Sequence, residues 1–258
     1  MRLSVIVPAF DEAPRIASTV HDLHATLSAE LGDAFEIVVV DDGSTDGTLE
    51  AALDVADIVP RCTVVSYPVN AGKGDALRRG LISARGEFVA FFDGDGDIAA
   101  SSLLDLVGTL ERSPDVSAVV GTRHWPTPRP WYRSVPSRLL ARFARSVLEL
   151  PVHETQAGAK VFVRADVARV LPACREQGFL FDLEVMARMR EHGLGMASVD
   201  IVPVRIRRSR IGIATGLREL LPVLRIWRSV RPRRGLAVAA VPRPRTVPVR
   251  SSANDGAP

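Results

Sequence analysis

The sequence predicts an α/β fold in which a mainly parallel sheet is flanked by helices on both faces. First, apolar runs without polar alternation recur along the chain, as expected of strands that are buried on both sides. Second, in the first part of the chain each run is followed by a segment with helical spacing, which is typical of β-α-β connections. Third, acidic turns follow two of the runs. Because ligands of such sheets bind beyond the carboxyl ends of the strands, we expect these turns to line one crevice.

The individual elements follow from the hydrophobic pattern. Residues 3–10 form a continuous apolar run that includes Pro8, and residues 14–31 carry apolar side chains three and four positions apart, as a helix with one buried face requires. The same reasoning predicts strands at 35–40, 62–68 and 86–92, and helices at 45–58 and 73–85. Farther along the chain it predicts helices at 101–113 and 181–193, with strands at 116–123, 159–164 and 198–207.

Two segments differ in composition from the rest. Residues 131–150 begin with aromatic and proline residues and continue as a basic amphipathic helix. This pattern fits a helix that packs on the core and also one that lies on a membrane surface. After about residue 230 the chain is rich in proline, arginine and small residues, so we predict one domain, 1–230, and a disordered cationic tail, 231–258.

Composition limits the possible functions. The 258 residues are 47% hydrophobic and 24% charged, and the net charge is +3, but arginine dominates from Arg123 to Arg250, which suggests an anionic partner. Lys73 and Lys160 are the only lysines. The 2 cysteines are too few for a disulfide framework or a cysteine zinc site and fit a reducing compartment. Without a signal peptide or a spanning apolar run, we expect a cytoplasmic protein, peripheral at the inner face of the cell membrane.

The segment FFDGDGD at 91–97 is the strongest functional signal. Asp93, Asp95 and Asp97 directly follow an apolar strand, and carboxylates this close together repel one another unless a cation lies among them. A solvated acidic turn is the structural alternative, because Asp and Gly are common turn residues. A second acidic turn, DDGSTDGT at 41–48, also follows a predicted strand. Together the two turns favour one site for a divalent cation, Mg²⁺ or Mn²⁺, and a diphosphate.

Several segments, taken in order, resemble the inverting family-2 glycosyltransferases. They are VPAFDE, VVDDGSTDGT, NAGKGDALRRG, FFDGDGD, GTR, ETQAGAKVF and GFLFDLE. The likeness covers residues 3 to about 212 and is greatest for the enzymes that make dolichyl-phosphate mannose or glucose and their bacterial polyprenyl-phosphate counterparts. It implies the GT-A fold, a nucleotide-sugar-binding α/β domain in which the D-x-D carboxylates hold a divalent metal on the donor diphosphate.

The resemblance implies a role for individual residues of this sequence. Asp93 and Asp95 bind the metal, and Gly94 lets the backbone approach the donor. The donor-binding set is Pro8, Phe10, Glu12, Asp41, Asp42, Lys73, Asp93, Gly94, Gln156, Arg208 and Arg210. The acceptor-binding set is Arg123, Ser137 and Arg138. Glu184 is expected to contact sugar hydroxyls or the acceptor, and Asp182 lies two residues before it.

Structural alternatives remain open for some of these residues. Asp41 and Asp42 can close an Asx-turn, and Lys73 can be a solvated lysine at a helix start. Glu184 can serve as the carboxylate that satisfies the dipole at a helix N-terminus.

The chain also departs from the family pattern at three places. Phe10 stands where the family often has Tyr, which preserves stacking but loses a hydroxyl, and Glu154 replaces the more usual Asp. The segment RIRRSRIGIA lacks the Gly-Ser-Lys order of a family loop, whose charges we assign to Arg208 and Arg210.

The expected reaction is hexose transfer, with inversion, from GDP-mannose or UDP-glucose to polyprenyl phosphate. The metal offsets charge on the leaving diphosphate, and a mostly dianionic lipid phosphate needs no strong base, so Asp95, Arg123 and Arg138 carry catalysis. An acceptor hydroxyl on a soluble or glycan acceptor would instead need a carboxylate base, Asp182 or Glu184. A non-catalytic nucleotide-sugar or membrane-binding module is the alternative from another class. The arginines lack an identifiable nucleic-acid recognition module, so no specific nucleic acid is expected as a partner.

Overall fold

The computed structural model describes residues 1–123, 146–152, 158–201, 204 and 220–230. The strands in these ranges are β1 (Leu3–Ala9), β2 (Phe35–Asp41), β3 (Cys62–Ser66), β4 (Phe88–Phe92), β5 (Val116–Arg123), β6 (Ala159–Val163) and β7 (Gly195–Ile201). The α-helices are α1 (Ile16–Leu31), α2 (Thr48–Ile58), α3 (Lys73–Ser83), α4 (Ser101–Glu111), α5 (Arg164–Val170), α6 (Phe181–Glu191) and α7 (Leu220–Ser229). A 3₁₀ turn, Leu171–Ala173, follows α5.

The strands form one mixed sheet in the order β3-β2-β1-β4-β6-β5-β7. Strand β1 pairs in parallel with β2 from Leu3–Phe35 to Ala9–Asp41, and in parallel with β4 on its other side. Strand β6 runs antiparallel to both of its neighbours, β4 and β5, whereas β5 and β7 are parallel. Strands β1, β2, β3 and β4 therefore end at the same edge of the sheet at which β6 begins.

Successive side chains of the central strands pack on opposite faces of the sheet. Ile6 belongs to the core beneath α3, α6 and α7, while Val5 and Val7 belong to the core beneath α1, α2 and α4. All three are fully buried. Helix α3 packs so closely that a Cβ on Gly80 would stand 2.3 Å from Ile6 Cγ2. The continuous apolar runs are thus explained by a sheet that is covered on both faces.

The predicted fold class is confirmed, but the direction of one strand, the start of another and two helices differ from the prediction. The antiparallel direction of β6 was not predicted, because side chains alternate in the same way in either direction. Strand β7 begins at Gly195, earlier than the predicted 198. Helices α5 and α7 were not predicted, although in α7 Val223, Ile226 and Val230 are buried at helical spacing.

The segment predicted as an amphipathic helix at 131–150 is described only from residue 146 onward, and there Leu148 and Leu150 are buried in the core beneath α6. The rest of that segment and the tail at 231–258 lie outside the described residues. Among the helices that the structure describes, none combines the length and the apolar character that a membrane crossing requires.

Candidate functional site

The loops that follow β1 and β2 are bound to each other at the carboxyl edge of the sheet. The Asp11 amide donates to Ser44 Oγ at 3.1 Å, and the Thr45 amide donates to Asp11 Oδ1 at 3.1 Å. The Glu12 amide donates to Thr48 Oγ1 at 2.8 Å, which ties the approach to α1 to the start of α2. These bonds give the edge a fixed shape before any ligand binds.

Three of the predicted donor-binding residues lie near the end of β1 or on the loop that follows it. Pro8 is in β1, and the ring of Phe10 is 40% exposed, so it presents a face on which a planar base can stack. Glu12 is buried, and its Oε2 accepts from Arg15 Nη1 at 2.6 Å. The structure therefore brings Pro8, Phe10 and Glu12 together at one rim of the crevice.

Asp41 and Asp42 are buried, and both side chains hold loops in place. Asp41 accepts from the Ser44 amide at 3.3 Å and from the serine hydroxyl that ends β3 at 2.9 Å. Asp42 accepts from the amides of Ala71 and Gly72 at 2.7 and 2.9 Å. Asp41 thus closes the turn that was the structural alternative, and Asp42 fixes the loop that leads into α3. Their contact with a base or ribose stays a prediction.

The D-x-D carboxylates stand directly beyond the end of β4. The Asp93 amide donates to the Gly158 carbonyl at 2.9 Å, and a Cβ on Gly158 would stand 2.6 Å from Asp93 Oδ2. A side chain at position 158 would therefore displace this carboxylate. Gly94 is also tightly placed, because a Cβ there would lie 3.2 Å from the Pro8 carbonyl oxygen. Burial and the neighbouring Asp93 carboxylate raise the pKa of Asp95, so added positive charge would stabilise its ionised form.

Lys73 and Lys160 alternate with carboxylates in a chain of charges beside Asp93. Lys73 Nζ lies 2.6 Å from Asp93 Oδ1 and 4.0 Å from Asp182 Oδ2. Lys160 Nζ lies 2.6 Å from the same Asp182 oxygen. The Lys160 side chain is 1% exposed and that of Asp182 is 5% exposed, while that of Lys73 is 19% exposed and faces the crevice. The order of charges is therefore Lys160, Asp182, Lys73, Asp93.

Neighbouring charges stabilise the ionised forms of Lys73 and Asp182 in this series of side chains. Burial disfavours the Lys73 ammonium, but the carboxylates of Asp93, Asp182 and Asp95 outweigh it and raise the pKa of Lys73. Burial likewise disfavours the Asp182 carboxylate, but Lys160 and Lys73 outweigh it and lower the pKa of Asp182. The neighbouring charges therefore favour the charged forms of Lys73 and Asp182, and Lys73 is no longer explained as a solvated residue.

The loop before α6 supports the first turn of α3. The Gly74 amide donates to the Gln177 carbonyl at 2.6 Å, and a Cβ on Gly72 would stand 2.5 Å from that oxygen. Gly72 has a φ of 95°, in the region that favours glycine. This close approach of two loops sets where Lys73, between the two glycines, leaves the backbone.

Glu184 is buried and engaged within the protein. Its Oε2 accepts from the amides of Arg175 and Glu176, each at 2.7 Å, and its Oε1 lies 3.4 Å from Arg188 Nη2. Arg188 in turn donates to the carbonyl and hydroxyl oxygens of Ser229 on α7, both at 2.8 Å. Among the described contacts, Glu184 thus serves the loop before α6, and Asp182 is the acidic residue of this helix that reaches the crevice lysine.

Several predicted site residues lie wholly or partly outside the described part of the structure. Arg123 is the last residue of β5, paired with Ile201 of β7, and its side chain lies outside the described part of the structure. The residues outside the described ranges altogether are Ser137, Arg138, Gln156, Arg208 and Arg210. Lys160 was missed as a site residue, although a lysine inside the apolar run AKVFV, in a chain with one other lysine, was a usable signal.

The carboxylates of Asp93 and Asp95 fit part of a divalent cation site. Across the described ranges, no three His, Cys, Asp or Glu side chains are grouped so that they could hold a metal by themselves. The two carboxylates can supply some of the oxygen ligands that a hard cation needs, and oxygens of a bound ligand can supply the others. A lysine ammonium already contacts one of these carboxylates. The pair therefore fits a cation that arrives with a phosphate-bearing ligand.

Comparisons with known proteins show which family this chain is similar to. The model of the family described as "Glycosyl transferase family 2" matches residues 4–171. The dolichyl-phosphate beta-glucosyltransferase of Saccharomyces cerevisiae is 28% identical over 204 residues, which cover 71% of this chain and 61% of that protein. The polyprenol monophosphomannose synthase of Mycolicibacterium smegmatis is 29% identical over 247 residues, which cover 88% of this chain and 86% of that protein.

The fold is also similar to that of a solved structure. Glucosyl-3-phosphoglycerate synthase from Mycobacterium tuberculosis, in complex with Mn²⁺, uridine-diphosphate-glucose and phosphoglyceric acid, aligns with a TM-score of 0.67 at 25% identity. The alignment covers 92% of this chain and 82% of that one. By contrast, the chain spans less than two thirds of the yeast relative, 61% of its length.

Proposed function

This chain belongs to glycosyl transferase family 2, and we propose that it transfers a hexose, with inversion, from a nucleotide sugar to a polyprenyl phosphate. The observation that carries the proposal is the Asp93–Asp95 pair beyond β4, with Lys73 2.6 Å from Asp93. The names of the yeast and mycobacterial relatives support a lipid-phosphate acceptor, with glucose and mannose as the candidate sugars.

The donor binds at the carboxyl edge of the sheet in this proposal. Asp93 and Asp95 would hold Mg²⁺ or Mn²⁺, which when bound offsets the negative charge that develops on the leaving diphosphate. Lys73 contributes a further positive charge next to the same phosphates. Phe10 stacks on the base. Further donor contacts are proposed for Pro8, Glu12, Asp41, Asp42, Gly94, Gln156, Arg208 and Arg210.

The state of the acidic residues on α6 favours a phosphate acceptor over a sugar hydroxyl. A hydroxyl acceptor needs a carboxylate base that can take up a proton near neutral pH. Lys160 and Lys73 lower the pKa of Asp182, which makes it a weak base, and Glu184 is occupied by two backbone amides and Arg188. A polyprenyl phosphate, already mostly dianionic, needs positioning rather than deprotonation.

Positioning of the acceptor phosphate is assigned to Arg123, Ser137 and Arg138. Arginine is suited to this task because its planar guanidinium can bind two phosphate oxygens at once. With the metal at Asp95 on the leaving-group side, these cations would hold the nucleophile on the opposite face of the sugar. This arrangement accounts for inversion.

The acceptor lies in a bilayer, so we propose peripheral attachment at the cytoplasmic face of the membrane. Helix α7 supports this proposal. Its apolar face is buried in the core, and its outer face exposes Leu221 and Trp227, at 63% and 48%, beside the exposed Arg225 and Arg228. Tryptophan and arginine are favoured at an anionic lipid surface. Binding to anionic vesicles that weakens as salt rises would support the attachment, and no binding at any salt concentration would contradict it.

The test of the reaction is a lipid-partition assay. The protein is incubated with polyprenyl phosphate and, in separate reactions, radiolabelled GDP-mannose, UDP-glucose or UDP-N-acetylglucosamine, with Mn²⁺ or Mg²⁺. Label is expected in the organic phase with one donor, and the product is expected to have the inverted anomeric configuration. The Asp95→Asn variant serves as the control. Label that appears only on a soluble glycan acceptor would favour the hydroxyl-acceptor alternative, and tight donor binding without transfer to any acceptor would favour a binding module.

A further inference from the structure

We propose that Lys160 is a positioning residue that holds Lys73 on the metal-binding carboxylates by neutralising Asp182. The inference rests on the proposed function, because it concerns the site where the metal and the donor diphosphate bind. It begins from the use of lysine in this chain. Lys73 and Lys160 are the only lysines among 33 lysine and arginine residues. Both approach the same carboxylate oxygen, Asp182 Oδ2, at 4.0 and 2.6 Å respectively.

The Lys160–Asp182 pair is poorly explained as a device for stability. The two side chains are 1% and 5% exposed, and burying an ion pair costs so much hydration that an apolar pair of the same volume is often at least as stable. The Asp182 Oδ1 atom is also buried and accepts no hydrogen bond from the described residues. A compact ammonium can share one oxygen with a second ammonium, whereas a planar guanidinium is larger. The Lys160–Asp182 pair is therefore better explained by its effect on a neighbouring charged residue than by a contribution to stability.

The neighbour that depends on the pair is Lys73. Its ammonium lies between Asp93 at 2.6 Å and Asp182 at 4.0 Å, so its position reflects a competition between two carboxylates. Lys160 neutralises Asp182 and leaves Lys73 with Asp93. If Lys160 were neutral, the buried and uncompensated Asp182 would attract Lys73 away from Asp93. Lys73 would then be lost from the position beside the donor phosphates.

This arrangement predicts that the metal and the nucleotide respond in opposite directions to a neutral residue at 160. In Lys160→Met the cluster has one positive charge fewer, and Lys73 no longer competes for Asp93, so Mn²⁺ alone should bind about threefold to tenfold more tightly. UDP or GDP in the presence of Mn²⁺ should bind at least about threefold more weakly, because Lys73 no longer faces the phosphates. A loss of structure would weaken both.

Two companion variants complete a series ordered by charge. Asp182→Asn removes one negative charge from the cluster while Lys160 and Lys73 remain, so Mn²⁺ should bind more weakly than in the wild type. Lys160→Met with Asp182→Asn removes both charges, keeps Lys73 on Asp93, and should bind Mn²⁺ within about twofold of the wild type. Mn²⁺ binding is measured from the electron paramagnetic resonance signal of the free ion, nucleotide binding by calorimetry, and folding by circular dichroism.

The expected order of Mn²⁺ affinity is Lys160→Met, then the wild type together with the double variant, then Asp182→Asn. Parallel weakening of Mn²⁺ and nucleotide in Lys160→Met, or a double variant that resembles Lys160→Met, would overturn the proposal. If Lys160→Met does not fold, the proposal is tested by comparing the Mn²⁺ affinity of Asp182→Asn with that of the double variant. Equal affinities of these two variants would overturn the proposal. These binding measurements do not depend on glycosyl transfer. Absence of transfer with every donor tested would therefore reject the proposed function, whereas the order of Mn²⁺ affinities would still test the role of Lys160.

Discussion

Gly158 provides a steric test of the metal-binding geometry that leaves every charge in place. In Gly158→Ala the new Cβ would stand 2.6 Å from Asp93 Oδ2 and 3.1 Å from Asp93 Cγ. Both distances are shorter than the 3.4 Å at which ordinary van der Waals contact with a Cβ begins. The carboxylate must therefore move by about 0.8 Å, and a displacement of about 1 Å in a catalytic group can cost about a hundredfold. We expect kcat/KM to fall about tenfold to a hundredfold and Mn²⁺ to bind more weakly.

The assay combines the lipid-partition measurement with Mn²⁺ titration, and Gly108→Ala is the matched control. Gly108 lies in α4, where a Cβ would meet only the end of the flexible Arg112 side chain at 3.0 Å. That change should leave activity intact and raise the free energy of unfolding by up to about 1 kcal/mol, since alanine is the better helix former. Wild-type Mn²⁺ affinity and activity in Gly158→Ala would refute the placement of Asp93 as a metal ligand.

Three further changes test other parts of the site. Asp95→Asn should abolish turnover while the melting temperature stays the same or rises, because the change removes a partly buried carboxylate next to Asp93; activity that persists in excess EDTA would contradict the metal assignment. Asp182→Asn should cost about 3–5 kcal/mol of unfolding free energy at pH 7, because the buried Lys160 ammonium loses the carboxylate that lies 2.6 Å from it. Since the pKa of Asp182 is lowered from 3.8, that cost should be full above pH 3.8 and shrink as pH falls below it, which urea unfolding at several pH values can measure. Arg138→Ala should raise the KM for polyprenyl phosphate about tenfold to a hundredfold and leave the KM for the donor nearly unchanged, as expected for one charge-assisted contact; equal increases would place Arg138 elsewhere.

The sequence predicted those features that depend on local pattern. The apolar runs identified β1 to β4 because both faces of the sheet are covered, and the position of Asp93 and Asp95 directly after one run placed them at a strand end. The helical spacing at 73–85 likewise placed Lys73 at the start of α3. These predictions need only the order of residues along one element.

The features that were missed depend on pairings distant along the chain. The bonds from Asp42 to the amides of Ala71 and Gly72 join two loops that share no local pattern. Lys160 of β6 and Asp182 of α6 are brought together only by the tertiary fold, and an apolar run carries no sign of the direction of its strand. Helix α7 contains Pro222, which weakens a helical prediction from sequence but is tolerated in a first turn.

The reversed direction of β6 has a practical consequence for exchanging segments between related proteins. Strand β5 leaves the sheet at Arg123, and β6 enters at Ala159 as its antiparallel neighbour, with Val120 opposite Lys160. The chain between these two strands therefore departs from and returns to the same edge of the sheet. The cost of closing such an excursion changes only slowly with its length. We therefore expect that segments of different length can be grafted after Arg123 without altering the pairing of β1 to β4, provided that residues 146–152, with the buried Leu148 and Leu150, are kept.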